Sequence, residues 1–147
     1  MLLAIGSDHG GFALKQEIKK YLVERGIEFR DFGCYDETSC DYPVIAQAVG
    51  EAVAAGEYER GLLFCGTGIG ISIAANKVRG VRAACCSDCF SAKYTRLHND
   101  ANILCMGGRV VGAGLATEMV ALFLDTAFEG GRHQRRIDLI TGIENKR

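Results

Sequence analysis

An apolar run, Gly61-Leu62-Leu63-Phe64, breaks directly into Cys65-Gly66-Thr67-Gly68-Ile69-Gly70, and a stretch of helical character follows over residues 71–78. Few backbones satisfy that order. The run has the length of a buried strand, and alternating glycines permit a turn tight enough to start a helix at once. Such a turn aims several backbone N–H groups at one point. It favours negative charge there, either a phosphate or a developing oxyanion. The turn also opens with a thiol. A cysteine beside clustered amides is drawn toward the thiolate and can act as base or nucleophile. The stretch points to chemistry on an anionic intermediate, not to ligand binding alone.

The same alternation recurs along the chain. Residues 2–6 read as a buried strand. Residues 12–25 read as an amphipathic helix stopped by Gly26, and 28–32 as a strand whose imperfect alternation places it near an edge. Residues 42–55 form a helix with Pro43 in its first turn, and 61–64 the third strand. Residues 81–86 are predicted as a fourth strand buried on both faces. Asp88 then caps a helix through Arg96. Residues 103–106 form the fifth strand. An apolar helix over 115–128 and a last helix from about 133 to 145 complete the chain. This order predicts one domain, 1–147. Its fold class is α/β: a three-layer, Rossmann-like, open parallel five-stranded sheet with helices on both faces. Ligands of such folds bind beyond the carboxyl ends of the strands. Three polar blocks fall there: Ser7-Asp8-His9-Gly10-Gly11, Cys65 to Gly70, and Gly107-Gly108-Arg109.

The bulk properties exclude more than they assign. The 147 residues suit a single domain with an adequate core, and a net charge of −1 gives no support for nucleic-acid or membrane binding. No apolar run approaches the ~20 residues that span a bilayer. The first residues lack a cationic lead and an apolar signal core, so a cytoplasmic location is expected. The seven cysteines are odd in number and several lie in strand-like runs, which fits reduced thiols. Cys86-Ser87-Asp88-Cys89 has redox or zinc spacing, but no second pair accompanies it. The plainer reading is a small buried residue at Cys85 with turn residues after it, and no metal is expected.

Three further constellations carry candidate chemistry, each beside a plainer alternative. Asp8-His9-Gly10-Gly11 sets a carboxylate and an imidazole at the sheet's mouth; otherwise Asp8 caps a helix and His9 is merely exposed. His98, before Asn99-Asp100-Ala101-Asn102, has the side chain best suited to proton transfer near neutrality; otherwise it is a loop histidine. Gly130-Gly131-Arg132-His133-Gln134-Arg135-Arg136 is the densest cationic patch. In a helix Arg132 and Arg136 share a face and suit a phosphate dianion. The alternative is a solvated basic helix start, in which the arginines oppose the helix dipole. No P-loop is present, since Lys-Ser/Thr does not follow a glycine turn, and the first strand lacks a dinucleotide fingerprint.

These blocks, in this order and with Asp41-Tyr42-Pro43, closely resemble the sugar-phosphate isomerases of the ribose-5-phosphate isomerase B type, a family that includes galactose-6-phosphate isomerase subunits. The resemblance runs over nearly the whole chain. It implies interconversion of ribose 5-phosphate and ribulose 5-phosphate with no cofactor and no metal. By position, Cys65 is the base between C1 and C2, and Thr67 with the amides of Gly66, Gly68 and Gly70 stabilises the enediolate. His98, with Asp8, assists ring opening. His9, Arg132 and Arg136 bind phosphate, and Asn99 and Arg109 line the site; Arg135 is left without a defined role. Some members use a glutamate just after the glycine turn; Ile71 stands there, so this chain looks like the cysteine kind. Members are dimers or dimers of dimers with active sites shared between subunits. The resemblance therefore implies a homodimer whose interface takes in the C-terminal helix, and the apolar 115–128 helix is compatible with a place there or in the monomer core.

Other readings stand beside this one. An isomerase of a six-carbon aldose phosphate, allose 6-phosphate or galactose 6-phosphate, would differ in pocket size. A non-catalytic phosphosugar-binding protein would keep the arginines and the glycine turn without needing Cys65. A thiol redox or metal protein would use Cys86 and Cys89.

Overall fold

The computed structural model describes residues 1–147. In chain order the elements are β1 (Leu2–Ser7), α1 (Phe12–Glu24), β2 (Glu28–Asp31), α2 (Tyr42–Ala54), β3 (Arg60–Cys65) and α3 (Ile69–Ala75). There follow β4 (Ala83–Cys85), α4 (Cys89–Asn99), β5 (Ile103–Gly107), α5 (Ala113–Asp125) and α6 (Arg132–Glu144). One sheet runs β2-β1-β3-β5-β4, and every pairing is parallel. The chain steps from β1 outward to β2, then returns past β1 to β3. That reversal opens a crevice beyond the carboxyl ends of β1 and β3, where Ser7 and Phe64 lie in register.

Side-chain alternation sorts the strands into two cores. Leu3, Ile5, Leu62, Phe64, Leu104 and Met106 face α1 and α5, with Ala92 of α4 on the same side. Ala4, Leu63, Cys65, Ile103 and Cys105 face α2 and α3. Both faces of the central strands β1, β3 and β5 are covered, so these strands read as apolar runs, as in a three-layer parallel sheet.

The structure corrects several expectations. The helix after the glycine turn starts at Ile69, two residues early, because Gly68 adopts φ +79° and turns the chain at once. The strand over 81–86 shrinks to Ala83–Cys85 and is the sheet edge, half-exposed instead of buried on both faces. Cys85, its last residue, is exposed, and the buried residue is Cys86 just after it. Burial pushes the Cys86 thiol up to about 11. Cys34 and Cys40 are joined as a disulfide, against the expectation of reduced thiols throughout; the other five cysteines are free. β2 is an edge strand, as its weak alternation suggested, and Asp88 caps α4 by accepting from the Ser91 N–H at 2.6 Å. The apolar character of α5 goes into the protomer's own core through Ala116, Met119, Val120, Phe123 and Leu124. No helix is long and apolar enough to cross a membrane.

Candidate active site

The loops after β1, β3 and β5 meet backbone to backbone. A Cβ at Gly11 would lie 2.5 Å from the Phe64 carbonyl oxygen, one at Gly108 2.6 Å from that of Gly10, and one at Gly107 2.6 Å from the Thr67 carbonyl carbon. Only glycine allows this approach, which brings the Cys65 turn and the Asp8 loop together. Cys65 is buried, and the Gly68 N–H donates to its sulfur at 3.0 Å. The Ile69 N–H donates to Thr67 Oγ1 at 3.2 Å. The N–H groups of Gly66, Thr67, Gly70 and Ile71 donate to no acceptor in the protein. Backbone amides without acceptors in a glycine turn beside a buried sulfur can meet an oxyanion.

The neighbouring loop supplies the other polar groups of this end. Asp8 is buried, and its Oδ1 accepts from the Gly11 N–H at 3.0 Å, so the carboxylate first holds the loop that begins α1. His9 accepts from the Cys40 N–H through Nδ1 at 3.3 Å. That bond occupies Nδ1 and leaves Nε2 as the ring nitrogen available to a ligand. Arg109 lies across the turn, its guanidinium 3.2 Å from where a Gly66 Cβ would stand, and it pairs with no carboxylate. Tyr42 covers Gly70; a Cβ there would lie 2.7 Å from its ring. The 32–41 loop over His9 is anchored from beneath by the fully buried Lys15, whose ammonium bonds Asp31 at 2.9 Å and the Cys34 carbonyl.

The remaining predicted residues lie elsewhere. Helix α4 runs antiparallel to the sheet, so from Cys89 to His98 it descends ~14 Å toward the amino ends of the strands. There the Asn99 carbonyl accepts from Arg82 Nε at 3.0 Å, just before β4. His98 packs edge-on to Tyr94 at 5.0 Å and stacks on His133 at 4.1 Å. Helix α6 starts at this end, and Arg132, Arg135 and Arg136 are exposed with no carboxylate partner. The predicted residues thus fall into two groups within the chain. Cys65, Thr67, Asp8, His9, Gly66, Gly68, Gly70 and Arg109 gather at the carboxyl end; His98, Asn99, Arg132 and Arg136 gather at the amino end.

Residues 3–140 match the family described as Ribose/Galactose Isomerase. The chain belongs to this family. Membership makes it an aldose–ketose isomerase. It is 52% identical over 145 residues to ribose-5-phosphate isomerase B of Escherichia coli strain K12, covering 99% of this chain and 97% of that protein. It is 38% identical over 144 residues to galactose-6-phosphate isomerase subunit LacB of Clostridium acetobutylicum, covering 98% and 82%. The solved structure of Clostridium thermocellum ribose-5-phosphate isomerase B superposes with a TM-score of 0.98 at 53% identity, covering 99% of each chain.

Within this isomerase, Ile71 follows the glycine turn and is fully buried, so no carboxylate base stands there. Sequence reasoning gave no role to Tyr42, Glu129 or His133. Tyr42 stood inside the Asp41-Tyr42-Pro43 block, and Glu129 and His133 stood four apart around the arginine patch. Those spacings were legible, but their meaning depends on contacts with Gly70 and His98 that only the fold supplies.

Proposed function

We propose that this isomerase interconverts D-ribose 5-phosphate and D-ribulose 5-phosphate through an enediolate, with Cys65 as the base. The observation that carries the reading is the buried Cys65 sulfur at 3.0 Å from the Gly68 N–H, in a turn whose Gly66, Thr67, Gly70 and Ile71 amides have no acceptor. Cys65 takes the proton from C2 of the open-chain aldose and returns it to C1. The amides of Gly66, Gly68 and Gly70, with Thr67, meet the charge that develops on oxygen between the two steps. His98 protonates the ring oxygen to open the furanose, and Asp8 offers the oxygen not engaged by Gly11 to the sugar hydroxyl. His9, Arg132 and Arg136 grip the phosphate, and that remote binding orients the reacting carbons. Asn99 and Arg109 line the pocket. Neither metal nor cofactor takes part in this scheme.

The two groups cannot meet within one protomer, so we further propose a homodimer in which each active site takes its Cys65 end from one subunit and its His98 end from the other. A two-fold axis makes two such sites at once. Exposed apolar side chains support the docking: Ile69 and Ile73 on α3, Phe90 on α4, and Leu139, Ile140 and Ile143 on α6. A cytoplasmic protein of pentose phosphate metabolism fits this chemistry.

The test is turnover of ribose 5-phosphate with chelator present, for wild type and Cys65→Ala. Turnover that falls by about 10²-fold or more in the variant supports the thiol base. Turnover that survives discards Cys65 as base. The 38% identical galactose-6-phosphate isomerase subunit keeps a six-carbon substrate as the second reading, tested by galactose 6-phosphate and allose 6-phosphate in the same assay.

A further inference from the structure

Three ligating groups face one another within one chain, at the amino end of the sheet. They are His98 near the end of α4, Glu129 in the α5–α6 connection and His133 in the first turn of α6. Their ligand atoms all lie within 4.8 Å of one another. Glu129 Oε2 is 3.8 Å from His98 Nε2 and 3.7 Å from His133 Nε2. These separations are too long for an N–H to oxygen hydrogen bond, which falls near ~2.9 Å. They are close to the ~3.3 Å between two ligands that share one tetrahedral zinc ion at ~2.05 Å each.

A second observation points the same way. The His133 side chain is 6% exposed, and its Nε2 has no hydrogen-bond partner in the protein. Buried polar nitrogens are rarely left so. The His98 and His133 rings stack at 4.1 Å with planes 13° apart, and the half-exposed His98 ring must turn for both to ligate one ion.

We propose that His98, Glu129 and His133 bind a divalent transition-metal ion of the zinc type, and that this ion inhibits the isomerase by withdrawing His98. Two imidazoles and a carboxylate suit Zn²⁺ and leave a coordination position open. The ion is an inhibitor, not a cofactor. The binding claim stands on the geometry alone; the inhibition rests on the role given to His98 under the proposed function.

The experiment is a Co²⁺ titration of the full chain by absorption spectroscopy, with Zn²⁺ titration by calorimetry, for wild type, Glu129→Gln and His133→Gln. Cobalt is chosen because the free thiols are competing ligands and would show a thiolate-to-metal charge-transfer band. The expected result is one ion per chain with d–d bands and no such band, weakened at least about tenfold in each variant. Glu129 is 55% exposed, so Glu129→Gln keeps the fold and carries the test even if His133→Gln does not. No binding, a thiolate band, or binding unchanged in Glu129→Gln overturns the site. Zn²⁺ binding at the site with turnover of the wild type untouched overturns the inhibition. A wild type without any turnover bears on the proposed function and leaves the cobalt result decisive for the site.

Discussion

The Gly68 N–H donates to the Cys65 sulfur at 3.0 Å, and it can do so because Gly68 stands at φ +79° with its α-carbon against the Met106 backbone. An alanine there meets two objections. Its Cβ would lie 2.8 Å from the Met106 carbonyl carbon, and the left-handed backbone disfavours any side chain. Gly68→Ala is expected to destabilise the fold by about 1–3 kcal/mol and to slow Cys65 alkylation, as the amide leaves the sulfur. Chemical denaturation and iodoacetamide kinetics on the native protein check both. Unchanged alkylation would detach the glycine turn from the reactivity of the thiol.

The proposed sharing of each site between two subunits gives a sharper expectation. Cys65→Ala and His98→Asn should each be inactive alone. Mixed under conditions that exchange subunits, they should recover about a quarter of wild-type turnover. Half of randomly paired dimers are mixed, and each mixed dimer has one intact site out of two. Activity in the equilibrated mixture, with analytical ultracentrifugation of each variant, decides it. No recovery in a mixture shown to exchange would return His98 and Cys65 to the same subunit.

Lys15 sits without solvent contact beneath the 32–41 loop, bonded to Asp31 at 2.9 Å. Burial works against the charge of Asp31, but bonds from Lys15, the Gly33 N–H and Lys19 outweigh it and hold its carboxyl below the ordinary 3.8. The same burial pulls the Lys15 ammonium down from its ordinary value, more than Asp31 restores. Such a pair adds little when formed but is costly to break. Lys15→Met should lose about 3 kcal/mol, with Lys19 and Gly33 retaining part of the compensation. The sign with pH follows from linkage. The folded pKa of Asp31 is depressed, so its contribution is fully present above pH 3.8 and is lost as pH falls through the folded value. Wild type should therefore lose stability in acid more steeply than Lys15→Met, by urea unfolding at a series of pH values. Equal acid slopes would remove Asp31 from the account.

The sequence by itself determined the alternation of strand and helix, the parallel three-layer class and the blocks that meet at the sheet's mouth. These are local matters. A buried parallel strand must be continuously apolar, a strand-to-helix turn must be glycine-rich, and both are written within a dozen residues. Asp8, His9, Cys65, Thr67 and Arg109 were legible because each lies at or just beyond the carboxyl end of β1, β3 or β5, and a parallel sheet puts all such positions at one end. Tertiary structure alone decided what depends on returning helices and on residues distant in the chain. α4 carries His98 to the far end of the sheet, α6 lays Arg132 and Arg136 beside it, and His133 stacks on His98 from thirty-five positions away. The edge position of β4 and the Cys34–Cys40 pairing are of the same kind. Spacing along the chain says which residues share an element; the strand order and the direction of each return say which elements share a site.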